Sequence, residues 1–233
     1  MIDLGILLQQ LALGDSARED VFSVMERKDR AFEFLMRRLM GEVGLDDAST
    51  EKRLLPIVLQ QTLIHLADDL ADGDCDYLEN PEAAGPTTQY TLQQLVSLSM
   101  LDASICPEAA RCFCQQMLKV GSAQHEEIRT RQWTFARTRA AAVQLGGWLY
   151  GAYFALALHQ TSMAAEAEDL GYHFGLACFV ARDIKSSDVR YTSLSEEDRQ
   201  ALRKCATASA DRVYSAGRDF LNRHLLFAYG ALR

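Results

Sequence analysis

Apolar side chains recur at helical spacing along almost the whole chain, and no segment shows a convincing two-residue alternation. Only 4 prolines and 14 glycines interrupt 233 residues. A chain patterned in this way buries its apolar stripes by packing helix on helix. The spacing predicts helices at roughly 3–13, 18–43, 50–72, 88–103, 107–126, 129–158, 163–187 and 195–229. Local chemistry accounts for the breaks. Gly41 and Gly44, followed by Asp46, Asp47 and Ser49, punctuate the second and third helices. Gly73 to Thr88, with Pro81, Gly85 and Pro86, is the clearest loop. Pro107 stands near a first helical position, and Ser195-Glu196-Glu197-Asp198 puts acid in a first turn. There is no internal repeat. The expected architecture is an all-α helical bundle, with residues 1–233 forming a single domain.

Composition narrows the function classes. No apolar run reaches the length of a membrane span, and no basic leader precedes Ile2-Asp3-Leu4. The six cysteines form no Cys-x-x-Cys pair, and Cys178 lies in an apolar segment, so a reduced, cytoplasmic protein is expected. A net charge of −8 argues against a nucleic-acid partner. Positive charge gathers locally at Arg129, Arg131, Arg137 and Arg139, which suits one small anionic ligand.

The most specific chemistry lies in Leu63-Ile64-His65-Leu66-Ala67-Asp68-Asp69-Leu70-Ala71-Asp72, an apolar helical segment ending in three carboxylates. Asp68 and Asp72 are four apart and share a helix face, with Asp69 offset by about 100°. Like charge gathered on an apolar segment is costly without a cation, and an oxygen-rich edge suits hard Mg²⁺. The bland alternative is a solvated helix end running into Asp74 and Asp76, which the helix dipole disfavours. A second apolar helix, Asp169 to Ala181, ends in Arg182-Asp183-Ile184-Lys185-Ser186-Ser187-Asp188. Asp183 reads equally as a ligand or as a surface residue paired with Lys185 or Arg182. Between the two lies a stretch rich in Ala, Gly, Trp and Tyr; Gly146, Gly147 and Gly151 imply close helix approach or room for a ligand.

These segments resemble the class I isoprenoid synthases. Leu63 to Asp72 is similar to the first aspartate-rich motif of that superfamily. Gly175-Leu176-Ala177-Cys178-Phe179-Val180-Ala181-Arg182-Asp183-Ile184 looks like its second-motif helix. Arg139, twelve residues before Gly151-Ala152, is similar to the Lys-Thr segment of trans-prenyl diphosphate synthases. The second motif departs from those enzymes at Phe179, Arg182 and Ser186; Arg182-Asp183-Ile184 with Arg190-Tyr191 is closer to squalene and phytoene synthases. Terpene cyclases share Asp183 and Ser186. No isopentenyl-diphosphate signature is recognisable.

The resemblance implies a bundle around a deep central apolar cavity, and a Mg²⁺-dependent enzyme ionising an allylic prenyl diphosphate for condensation or cyclisation. It assigns Asp68, Asp69, Asp72 and Asp183 to metal, and Arg139, Arg182, Lys185 and Arg190 to the substrate diphosphate. Asp68, Asp69 and Arg139 carry the catalytic role. Trp148, Tyr150, Tyr153, Phe154, Phe174 and Phe179 are candidate cavity walls. It also leaves a homodimer open, and leaves as alternative a non-catalytic homologue that binds prenyl diphosphate or regulates a partner. His65 reads as a bundle histidine, and His125-Glu126-Glu127 lacks the Glu-x-x-His companions of a di-iron site.

Overall fold

The computed structural model describes residues 14–27, 30–103 and 105–232, and among them there is helix but no strand. The chain divides between Cys106 and Pro107 into two compact units. The expected helix at 3–13 lies outside the described residues.

The first unit holds α1 (Asp15–Glu26), α2 (Arg30–Glu42), α3 (Asp47–Asp72) and α4 (Pro81–Asp102). The predicted helix at 18–43 is thus two helices. Asp46 caps α3, its side chain accepting from the Ser49 N–H at 2.7 Å. Gly73 closes it in the left-handed conformation, φ 78°. The predicted loop is shorter than expected because α4 begins at Pro81. Asn80 caps it through the Ala83 N–H at 3.3 Å, and Pro81 occupies the first turn, where its missing N–H costs nothing. Gly85 lies inside α4 against α3: a Cβ there would meet the Leu70 side chain at 2.7 Å.

The second unit holds α5 (Pro107–Arg129), α6 (Phe135–Ala141), a π-helical segment (Ala142–Trp148), α7 (Leu149–Leu158), α8 (Ala167–Lys185), α9 (Val189–Thr192), α10 (Glu196–Ser215) and α11 (Asp219–Leu232). Gly217, φ 69°, separates the last two, which the periodicity reads as one. Ser195 caps α10 through the Asp198 N–H at 3.1 Å. Helix α8 is the centre of this unit. It packs on α7, the π segment, α10 and α11, and is apolar nearly all round, as a central helix must be.

The contact of α8 with the π segment and α7 explains the glycines. A Cβ on Gly175 would stand 2.2 Å from the Gly146 carbonyl oxygen, and one on Gly171 would stand 2.4 Å from that of Tyr150. The wider π turn brings adjacent Gly146 and Gly147 against α8 together, at Gly175 and Tyr172. Close helix approach, not ligand space, is the reason for these residues. The continuous helix Phe135–Leu158 is long and apolar enough to cross a membrane by length and composition, contrary to the sequence expectation, yet 72% of its most apolar window is buried inside the protein. It is a core helix.

Candidate active site

The carboxylate end of α3 is built by the turn that terminates the helix. Gly73 reverses the chain, and the Asp74 N–H donates to the Asp69 carbonyl at 2.8 Å. The returning chain lays Tyr77 against the helix end, where its hydroxyl donates to Asp69 Oδ2 at 2.7 Å. Arg27 covers Tyr77, its guanidinium 5.3 Å from the ring centroid and 3.1 Å from Asp76. A cavity of about 340 Å³ opens among Arg27, Thr62, His65, Asp69, Asp76 and Tyr77. Burial and the hydrogen bond to Asp69 push the Tyr77 phenol well above its ordinary range, so it stays a donor. Asp68 and Asp69 are half-buried and Asp72 is exposed.

The end of α8 is organised differently. Asp183, 1% exposed, sits in the last turn. Ser187, at φ 56°, reverses the chain, with the Asp188 N–H donating to the Asp183 carbonyl at 2.9 Å and the Ser187 N–H to Ile184 at 3.2 Å. Asp188 then caps α9 through the Arg190 N–H at 2.8 Å. The Arg190 guanidinium donates to Glu127 at 2.6 Å, to Asp188 at 2.7 Å and to Asp183 at 3.1 Å. Phe179 and Trp133 flank it, with ring centroids at 5.1 and 6.0 Å. Thr138 fixes the backbone by donating to the Arg190 carbonyl at 2.9 Å. Burial pushes the Asp183 carboxyl up to about 6, against the opposing pull of Arg190. Burial opposes the Arg190 charge as well, but the three carboxylates outweigh it and hold the guanidinium above its ordinary range.

Two solved structures superpose on nearly the whole chain. A geranyltranstransferase from Thermotoga maritima is 14% identical, covers 98% of this chain and 91% of its own, and gives a TM-score of 0.71. A geranyltransferase from Legionella pneumophila is 16% identical, covers 98% of this chain and 87% of its own, and gives 0.72. The chain has the all-α isoprenoid synthase fold. No protein-family model and no curated protein matches the sequence. At these identities the likeness is one of fold.

Within the isoprenoid synthase fold the two acidic helix ends are unequal. Asp68, Asp69 and Asp72 are right in kind for Mg²⁺, being hard oxygen donors clustered on one helix end, with Tyr77 orienting Asp69. Among the described residues, no three His, Cys, Asp or Glu side chains converge tightly enough to hold a metal as they stand. Asp183 Oδ1 accepts from a guanidinium, so a fixed cation already stands at the α8 end, where a divalent ion would need the same carboxylates. The hydrogen-bond partner of Asp183 is Arg190, not Lys185 or Arg182, although the Arg182 charge adds a weaker pull.

Of the four expected diphosphate cations, Arg190 is engaged by three carboxylates. Arg139, Arg182 and Lys185 are exposed; Arg182 lies 4.9 Å from the Phe179 ring and Lys185 lies 5.3 Å from that of Phe227. Arg129, Arg131 and Arg137 line one cavity of about 410 Å³ with Glu126, Trp133 and Gln144, while Arg139 is outside its lining. Tyr153, Phe154 and Phe174 are at most 3% exposed. With Tyr150 and Phe113 they stack at centroid distances of 5.6–6.1 Å. They form a packed core.

Sequence reasoning missed Tyr77 and Glu127. Tyr77 had one usable signal, an aromatic residue four past the helix-ending Gly73 in an acidic loop. Glu127 had none, because its partner Arg190 is 63 residues away.

Proposed function

We propose that this chain is a Mg²⁺-dependent class I isoprenoid synthase that ionises an allylic prenyl diphosphate, for condensation, cyclisation or transfer to another acceptor. The observation that carries the reading is the α3 end: Asp68, Asp69 and Asp72 on one helix terminus, with Asp69 held by Tyr77 at 2.7 Å beside an open cavity. The fold shared with two geranyltransferases supports it.

Asp68, Asp69 and Asp72 would hold the metal, and bound Mg²⁺ supplies Lewis-acid neutralisation of the leaving diphosphate. Tyr77 keeps the Asp69 carboxylate in one rotamer, so the acceptor geometry is set before substrate arrives. Arg139, Arg182 and Lys185, exposed on α6 and α8, are the cations left to meet phosphate oxygens.

A second reading follows from the α8 end. With Asp183 bound to Arg190, the chain resembles a homologue that binds prenyl diphosphate without turning it over. One assay separates the two. Purified protein with Mg²⁺ and geranyl or farnesyl diphosphate, with and without isopentenyl diphosphate, is monitored for diphosphate release. The synthase reading requires release that EDTA and Asp68→Ala abolish. No release from any substrate, with binding retained, would establish the second reading.

A further inference from the structure

We propose that the guanidinium of Arg190 is a built-in cation that fills the α8 end of this fold, so that Glu127, Asp183 and Asp188 take no divalent metal in this chain. The inference rests on the isoprenoid synthase reading only in treating that end as a metal position. The caged arginine itself stands on geometry.

Three carboxylates from three places converge on one side chain: Glu127 from α5, Asp183 from the last turn of α8, and Asp188 from the connection that follows. The Arg190 side chain is 12% exposed, and the three acids are 17%, 2% and 26% exposed. The guanidinium suits this position better than an ammonium would. It is planar, delocalised and weakly hydrated, and its two terminal nitrogens serve three acceptors at once. Its flat faces rest near Phe179 and Trp133.

The arrangement is fixed at the backbone as well as at the side chains. Ser187 adopts the left-handed conformation that aims Asp188, the Arg190 N–H holds Asp188 Oδ1, and Thr138 holds the Arg190 carbonyl. A flexible arm waiting for phosphate would need none of these. A divalent ion needs near-octahedral oxygens at about 2.0–2.1 Å for Mg²⁺, and it would share its ligands with a fixed positive charge in contact with all of them. One cation excludes the other. Arg190 is therefore a positioning residue for the carboxylates around it, not a clamp on diphosphate.

The test counts bound Mn²⁺ per chain by electron paramagnetic resonance, using the full chain with and without inorganic diphosphate. Wild type and Asp183→Asn bind equal numbers. Arg190→Ala, confirmed folded by circular dichroism, binds one more, and Arg190→Ala with Asp183→Asn loses it again. Fewer Mn²⁺ in Asp183→Asn than in wild type would overturn the proposal, as would no gain in folded Arg190→Ala. If Arg190→Ala does not fold, the comparison of wild type with Asp183→Asn decides alone. Asp68→Ala in the same titration reports on the α3 end. Failure of diphosphate release with the Asp183 and Arg190 pattern intact removes the proposed activity and leaves this inference standing.

Discussion

The Tyr77 hydroxyl closes the end of α3 by donating to Asp69 Oδ2 at 2.7 Å across the left-handed turn at Gly73. A half-buried hydrogen bond to a carboxylate contributes roughly 1–2 kcal/mol. Tyr77→Phe should lower unfolding stability by about that amount in urea titration. It should also weaken Mg²⁺-supported activity more than stability, because Asp69 gains rotamer freedom. Equal urea midpoints for the two proteins would mean the bond is not kept in solution.

Glycines at the α8 interface and on the surface should respond oppositely to alanine. At Gly175 a Cβ would meet the Gly146 backbone oxygen at 2.2 Å, and backbone cannot rotate away. Gly175→Ala should cost about 2–3 kcal/mol or more through helix displacement. Exposed Gly121, inside α5, has nothing within 4 Å of a built Cβ. Gly121→Ala should add about 0.5–1 kcal/mol through helix propensity. Thermal unfolding of both variants checks the pair, and a stabilising Gly175→Ala would refute the packing argument.

Ser187 carries a positive φ of 56° at the position after a helix where glycine is usual. Ser187→Gly should relieve the left-handed strain and raise stability by roughly 0.5–1 kcal/mol, partly offset by a more flexible unfolded chain. Ser187→Val, β-branched, should lower it. The reverse order in chemical denaturation would show that the turn is not held as described.

Arg37 joins α2 to α3 through Glu51, and pairs along α2 itself with Glu33 at 3.2 Å. The Arg37 hydrogen bond holds the Glu51 carboxyl below its usual range. A depressed carboxylate contributes stability that is present above the unfolded value near 4.3 and lost as pH falls through the folded one. Arg37→Gln should therefore flatten the loss of stability below about pH 4.5. Melting curves from pH 3 to 7 test this, and parallel profiles for variant and wild type would count against the pair.

Much of the fold was legible because its determinants are local. Asp46 and Gly73 bound α3, Ser195 opens α10, and the apolar run from Leu170 to Ala181 marks a central helix. The glycines at 146, 147 and 151 pointed to close approach or to room for a ligand, and α8 supplies the first. The start of α4 was misread because Pro81, Gly85 and Pro86 are loop residues by propensity. Asn80 and the contact of Gly85 with Leu70 overrule that preference. The site divided along the same line. Asp68, Asp69 and Asp72 declare themselves by spacing on one helix. Asp183 had an observable neighbour set in sequence, and the wrong members of it looked like partners. Its true environment depends on Arg190, seven residues on, and through it on Glu127 and Thr138, and no periodic pattern records contacts with the last two, which lie so far away in sequence.

The 24-residue helix Phe135–Leu158 has a consequence during synthesis. Its glycine-lined face is covered by α8, whose end at Lys185 leaves the ribosome more than two dozen residues later. At about 5–20 residues per second, that interval is on the order of seconds. For that time the nascent chain carries an uncovered segment long and apolar enough, by length and composition, to cross a membrane. Its fate then depends on whether α8 or a chaperone reaches it first.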